Sequence, residues 1–185
     1  MLITFCLALL AAKLRHYRPG LLFRSWTIYP LLATECVYLL FQVFTLRGDY
    51  RFVPYAALLK TAYMLLFLIP MLVYRLYWQG IAGSGLIVAG TVLNRIAIHA
   101  NGGKMPVFPT LSYWTGYARP EAFEGVSALH VLGTSASKCK FLCDFIDVGY
   151  CILSIGDLLI RGSAFLILFY TIRELDHRYP KVGKE

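Results

Sequence analysis

The sequence predicts an all-α fold: a polytopic membrane bundle of about five transmembrane helices, with a short re-entrant or interfacial segment on the extracytoplasmic side. Three observations predict it. Hydrophobic residues make up 58% of the 185, charged residues 15%, and the mean hydropathy is +0.62, more apolar than a water-facing surface permits at this length. The apolar residues fall in five long stretches, four of them interrupted by a few ionisable or amide side chains. A bilayer core of about 30 Å takes roughly 20 apolar residues per helix, so five crossings use up the chain and leave no room for a separate soluble domain.

The helices are expected near 1–17, 26–46, 52–77, 80–98 and 146–172 of a single domain spanning 1–185, with 99–145 extracytoplasmic. In the first, the apolar run Met1–Ala12 is followed by Lys13 and Arg15, whose long stems snorkel to the interface. A signal peptide carries its basic residues before the apolar run and ends in a small-residue cleavage pattern; neither is seen, and the segment reads as a retained helix. Trp26, Tyr77, Trp78 and Tyr113 read as interfacial anchors. The glycines at Gly80, Gly83, Gly85 and Gly90 lie inside an apolar run with no strand before them, so they read as helix packing and not as a nucleotide loop.

Orientation follows the basic residues of the short connections. Lys13, Arg15, Arg18 and Arg24, then Arg75, then Arg173, Arg178, Lys181 and Lys184 belong on the cytoplasmic side. This places the N-terminus outside and the C-terminus inside a bacterial-type inner membrane. Lys104, Arg119, Lys138 and Lys140 depart from the bias, offset by Glu121, Glu124 and Asp144. The net charge of +8 is scattered over helix ends with no basic run interleaved with aromatics, which argues against a nucleic-acid partner.

An ionisable side chain at mid-bilayer costs on the order of 3 kcal/mol, so each needs a partner, a cavity or a route to the interface. Glu35, Tyr38 and Gln42 share one helix face; Lys60 sits with Thr61 and Tyr63; Asn94, Arg95, His99 and Asn101 cluster at one helix end; Ser154, Asp157 and Arg161 form a stripe. Interhelical pairs, such as Lys60 with Glu35 and Arg95 with Asp157, are one reading. The other is an outward-facing polar pocket, because Lys60, Arg95 and Arg161 outnumber Glu35 and Asp157. A surplus cation there asks for an anionic ligand or for water.

After the fourth helix the chain reads His99-Ala100-Asn101-Gly102-Gly103-Lys104-Met105-Pro106. Asn-Gly-Gly allows left-handed turns, and its amides, with Lys104, can form an anion-binding concavity or simply end the helix. The stretch Pro120–Cys143 carries enough apolar surface for a short interfacial helix lying over the pocket as a lid. Cys139 and Cys143 are either bonded or two free thiols; Cys6, Cys36 and Cys151 read as packing residues. No metal-ligand spacing and no cofactor motif is present.

This loop, with Ser154-Ile155-Gly156-Asp157, His130 and Phe141-Leu142-Cys143-Asp144, resembles a family of small bacterial multi-pass membrane proteins of unknown function. The likeness covers most of the chain, including the basic turn Arg18-Pro19-Gly20 and Gln42. Members usually have glycine where Cys143 stands. The resemblance implies a membrane location, supplies no activity, and directs attention to Asn101, Lys104, Met105, Pro106, His130, Asp144 and Asp157.

The functional expectation is therefore a pocket that binds, or binds and carries, a small polar or anionic ligand or lipid headgroup. Its lining is drawn from Lys60, Arg95, His99, Asn101, Lys104, Met105, Pro106, Ser154, Asp157 and Arg161. Two alternatives stand beside it: a membrane enzyme using His130 with Asp144 or Asp157 as acid and base, and an accessory subunit whose polar residues fix contacts to partner membrane subunits.

Overall fold

A computed structural model describes residues 1–49, 51–52, 55–119 and 129–179. The chain is mostly helical. Helix α1, Leu2–Leu14, is followed by two 3-10 turns, Pro19–Arg24 and Trp26–Ile28, that lead into α2, Tyr29–Leu46. Then come α3, Ala56–Leu66, α4, Leu68–Val73, and α5, Tyr77–Ala100. A non-helical region holds β1, Met105–Val107, the short α6, Leu111–Thr115, β2, His130–Leu132, a 3-10 turn at Lys140–Leu142, and the hairpin of β3, Ile146–Asp147, and β4, Ile152–Leu153. Helix α7, Ile155–Arg178, closes the described chain.

Among the described residues, three helical segments are long and apolar enough to cross a membrane: Trp26–Leu46, Tyr77–Ala100 and Ile155–Arg178. Leu2–Leu14 and Leu58–Val73 are apolar but shorter. At about 1.5 Å per residue α1 is roughly 20 Å long, less than a hydrocarbon core.

Helix α7 is the packing axis. Its Ile160, Ala164, Ile167, Leu168, Ile172 and Leu175 are buried in one cluster with Phe5, Ala8 and Ala12 of α1, Leu22 and Ile28 of the turns, Leu31 of α2 and Tyr63 of α3. Against α5 the contact is close enough to exclude a side chain. A Cβ on Gly90 would collide with the Gly156 carbonyl oxygen, and one on Gly156 with the Asn94 side chain. The opposite side of α5 is open: only 17% of its most apolar window is buried, so Ile81, Val88, Val92 and Ile96 face outward.

Two expected helices are corrected. The crossing placed at 52–77 is two helices, broken at Phe67. Pro70 is the cause, since it offers no N–H to the Leu66 carbonyl four residues earlier and its ring crowds that carbonyl. The crossing placed at 146–172 begins nine residues later and runs to Arg178. Residues 146–153 are a hairpin instead, turned at Gly149 with φ +86°, pairing Ile146 with Leu153 and Asp147 with Ile152. Ser154 then starts α7 with a capping box: its Oγ accepts from Asp157 N at 2.9 Å while Asp157 Oδ2 lies 3.5 Å from Ser154 N.

The interfacial helix expected within Pro120–Cys143 is not what the described part of that stretch forms. Residues 120–128 lie outside the described residues, and beyond them come β2 and the Lys140–Leu142 turn. Cys139 and Cys143 are both free thiols. Cys6 and Cys36 are exposed on the helix surface and do not pack inside, and Cys151 is buried within the hairpin and not in a helix.

Candidate functional site

The Asn101–Pro106 loop is a scaffold that carries two titratable side chains to the end of the α5–α7 seam. Gly102 and Gly103 adopt φ of +68° and +85°, the left-handed region that glycine enters without cost. The Asn101 amide is spent on the neighbouring segment: Nδ2 donates to Ala97 O at 2.8 Å and Lys138 O at 2.9 Å, and Oδ1 accepts from Lys138 N at 2.8 Å. Met105 and Pro106 are buried, Met105 in a small cluster with Ala97, Leu142 and Cys143. These three serve the loop's structure.

Strand β1 then runs parallel to β2, with Met105 opposite His130, and on its other edge Val107 bridges to Asp144. The Asp144 backbone is fixed at both ends: its N–H donates to Pro106 O at 3.1 Å, and its carbonyl accepts from Phe108 N at 2.8 Å. His130 Nε2 thereby comes to 3.7 Å from Asp144 Oδ2. Burial pushes the Asp144 carboxyl up to about 7, with Asp157 adding to the rise and Lys60 opposing it. Burial also lowers His130, against the pull of Asp157 and with help from Lys60. Both shifts favour the neutral forms and so work against an ion pair at this contact. Asp144 Oδ1 is buried and, among the described residues, has no hydrogen-bond partner.

The two helices supply the rest. Lys60 Nζ donates to Asp157 Oδ1 at 3.0 Å, and Asn94 Nδ2 reaches the same oxygen at 3.4 Å. Ser154 Oγ donates to Asn94 Oδ1 at 2.7 Å. Asp157 thus faces the bundle interior and binds a cation. The polar layer consists of Lys60, Asn94, His130, Asp144, Ser154 and Asp157, carried by α3, α5, α7 and the β1 scaffold.

Other expected members lie elsewhere. Arg95 and His99 are on the exposed side of α5, and Lys104 is exposed beside the loop. Arg161, one turn beyond Asp157, does not pair with it; its Nη2 contacts Cys151 Sγ at 3.7 Å. The pairs anticipated from the sequence are likewise redistributed. Lys60 joins Asp157 and leaves Glu35, whose Oε1 lies 3.3 Å from the Met1 amino group. Asn94 takes the place expected of Arg95, because the Gly90–Gly156 approach sets residue 94, four on from Gly90, against the start of α7.

Two functional-looking residues are missing from the lining expected from the sequence. Asn94, named in the cluster at the end of α5, is one; its spacing of four from Gly90 is the signal that sets it apart from Arg95. Asp147 is the other: Thr110 N at 2.7 Å, Ser112 N at 2.8 Å, Ser112 Oγ at 2.5 Å and Gly149 N at 2.8 Å all donate to its carboxylate. Burial works against the charge, yet these bonds hold the carboxyl below its usual range. Asp147 is a cap for α6 and a clamp on the hairpin. Among the described residues, no group of three or more His, Cys, Asp or Glu is placed to hold a metal ion.

No match to the chain is found among curated proteins or among solved structures. A family match spans residues 21–170, well over half of the sequence and all of the polar layer. The chain belongs to the family of unknown function DUF5317.

Proposed function

We propose that this integral membrane protein binds, or binds and carries, a small polar or anionic ligand, lipid headgroups included, at the Lys60–Asn94–His130–Asp144–Ser154–Asp157 layer. The observation that carries the reading is the buried Oδ1 of Asp144, which has no hydrogen-bond partner among the described residues and lies within electrostatic reach of Lys60 and Asp157. A carboxyl that titrates near 7 presents an O–H donor in a large fraction of molecules. Lys60 gives one of three ammonium hydrogens to Asp157, and its side chain is 56% exposed, which leaves donors for a ligand oxygen. Asn94 and Ser154, bonded to each other, fix the wall behind the pair.

A second reading is favoured by the 3.7 Å separation of His130 and Asp144. A carboxyl that titrates near 7 beside an imidazole whose neutral form burial favours is suited to pass a proton, as general acid and base on a bound substrate.

We read the bundle as five helices, the three long ones joined by α1 and by α3 with α4, around which the bilayer thins. Support for the orientation comes from the basic residues gathering at one end: Arg18 pairs with Asp176 at 2.6 Å and its Nη2 also reaches Tyr179 O, while Arg178 lies over the Tyr74 ring. That end is cytoplasmic in this reading. The polar layer and the hairpin face outward, α1 points its amino end outward, and α7 ends inside.

The test is native mass spectrometry of protein released from membranes without delipidation. Wild type should retain a non-protein mass that Lys60→Ala loses while keeping its folded yield. No retained mass in wild type, or the same mass on the variant, contradicts the proposal.

A further inference from the structure

We infer that Cys139 and Cys143 form a thiol–disulfide exchange site that takes a small anionic disulfide such as oxidised glutathione, Cys139 being the attacking thiol and Cys143 the resolving one. This goes beyond the function proposed above and does not depend on the polar layer.

The two cysteines stand at the ends of one tight turn. Leu142 N donates to Cys139 O at 2.8 Å and Cys143 N to Lys140 O at 3.1 Å, which closes the 3-10 turn Lys140–Leu142 between them. Cys143 Sγ folds back over this turn, donating to Cys139 O at 3.4 Å and to Lys138 O at 3.5 Å. A carbonyl oxygen is about 2.4 Å from its own Cα, so the Cys143 sulfur is within about 6 Å of the Cys139 Cα. Cys139 itself packs against the cluster of Cys143, Met105, Leu142 and Ala97. Both thiols are free, so the structure is the reduced form of the pair.

The turn is also held from outside. Asn101 clamps the residue before Cys139, accepting from Lys138 N at 2.8 Å and donating to Lys138 O at 2.9 Å, and its Nδ2 lies 4.0 Å from Cys143 Sγ. Within this clamp Cys139 adopts a φ of +49°, the left-handed region that a residue with a Cβ enters only at a cost. The backbone is thereby fixed on both sides of the pair, and neither sulfur can drift far from the other.

The surroundings of the two sulfurs assign their roles. Cys139 is partly exposed between the exposed cations Lys138 and Lys140, which draw an anionic disulfide toward it. Cys143 is fully buried, and burial raises its thiol, with Asp144 and Cys139 adding to the rise. A reagent in solution therefore meets Cys139 first, with a second thiol behind it to resolve the adduct. The orientation read above puts the turn on the extracytoplasmic side, where disulfides persist.

The exchange balances in two steps. The Cys139 thiolate attacks one sulfur of oxidised glutathione, forming a mixed disulfide and releasing a glutathione thiolate, which takes up the proton that Cys139 lost. Cys143 then attacks Cys139 Sγ, and its proton passes to the second departing glutathione thiolate. Two protein thiols are oxidised to one disulfide, and one glutathione disulfide is reduced to two thiols.

The test places the detergent-purified chain in oxidised glutathione, blocks the remaining free thiols with iodoacetamide and maps the peptides without reduction, for wild type, Cys139→Ser and Cys143→Ser. Wild type should carry a bond between Cys139 and Cys143. Cys143→Ser, whose hydroxyl can still donate to the same two carbonyls, should stop at glutathione on Cys139, and Cys139→Ser should keep Cys143 as a free thiol. A measurement on wild type alone stands if a variant fails to fold: in the native protein Cys139 should be alkylated at least about tenfold faster than Cys143. Both thiols left free in wild type, glutathione left unresolved on its Cys139, or glutathione taken up by Cys143 in Cys139→Ser overturns the inference, as does equal alkylation of the two.

Discussion

Ser154 Oγ donates to Asn94 Oδ1 at 2.7 Å, across the seam where α5 ends and α7 begins. One hydroxyl therefore does two things: it caps α7 through Asp157 N at 2.9 Å and fixes the amide that points its Nδ2 at Asp157. Replacing Ser154 with alanine removes both. Loss of a cap costs about 1 kcal/mol, and thermal unfolding in detergent should show a destabilisation of at least that size. An unchanged midpoint would mean that the cap is not formed.

The seam itself gives a contrast between two glycines. Gly156→Ala drives a Cβ into the Asn94 side chain and the Gly90 carbonyl, whereas a Cβ at Gly85 meets nothing within 4 Å. Overpacking costs roughly 1–3 kcal/mol, so Gly156→Ala should lower the unfolding midpoint. Gly85→Ala should leave it or raise it, by up to about 1 kcal/mol from helix propensity alone. Equal effects would contradict the close approach of the helices.

How much of this was legible in the sequence depends on which force set each feature. Apolar run length located the long helices, because the bilayer dictates it. The break at Phe67 was readable from Pro70 but outweighed by the continuous apolar pattern around it. The hairpin at 146–153 was hidden because Ile146, Val148, Ile152 and Leu153 extend the apolar run of α7, and only Asp147, Gly149 and the Ser154–Asp157 box mark the boundary. For the site, Asp157, Lys60, His130 and Asp144 were singled out as residues. His130 with Asp144 was one of the pairs offered, but the partner of Asp157 stayed open, since which helix faces meet is decided by the long-range Gly90–Gly156 contact. Asn101 and Met105 drew attention by type, yet one is consumed by Lys138 and the other is buried.

The Asp144 carboxyl makes stability depend on pH. Its folded value of about 7 lies above the ordinary value near 3.9, so the folded state holds the proton more tightly than the unfolded one. The contribution is fully present below about pH 4 and is lost as pH rises through about 7. Relative to Asp144→Asn, wild type should therefore lose stability across that window, with a ceiling of roughly 4 kcal/mol. His130, lowered by burial, contributes with the opposite slope, losing stability as pH falls through its range, and the Asn comparison leaves it in place. Parallel pH profiles for the two proteins would show that Asp144 is charged in the fold.

Sidedness can be read by thiol labelling in a cysteine-free background. A cysteine at Lys104 should react with a membrane-impermeant reagent in intact cells, and one at Arg18, bonded to Asp176 at the other end of α7, should react only after permeabilisation. The reverse pattern inverts the orientation.

The most direct measurement is an experimental density map of the protein extracted with its native lipid. The account predicts non-protein density within hydrogen-bond distance of Lys60 Nζ and Asp144 Oδ1, with Asp157 still held by Lys60 and Asn94. A map of comparable quality in which Lys60 and Asp144 contact only protein atoms or acyl chains, with no bound species between them, would contradict it.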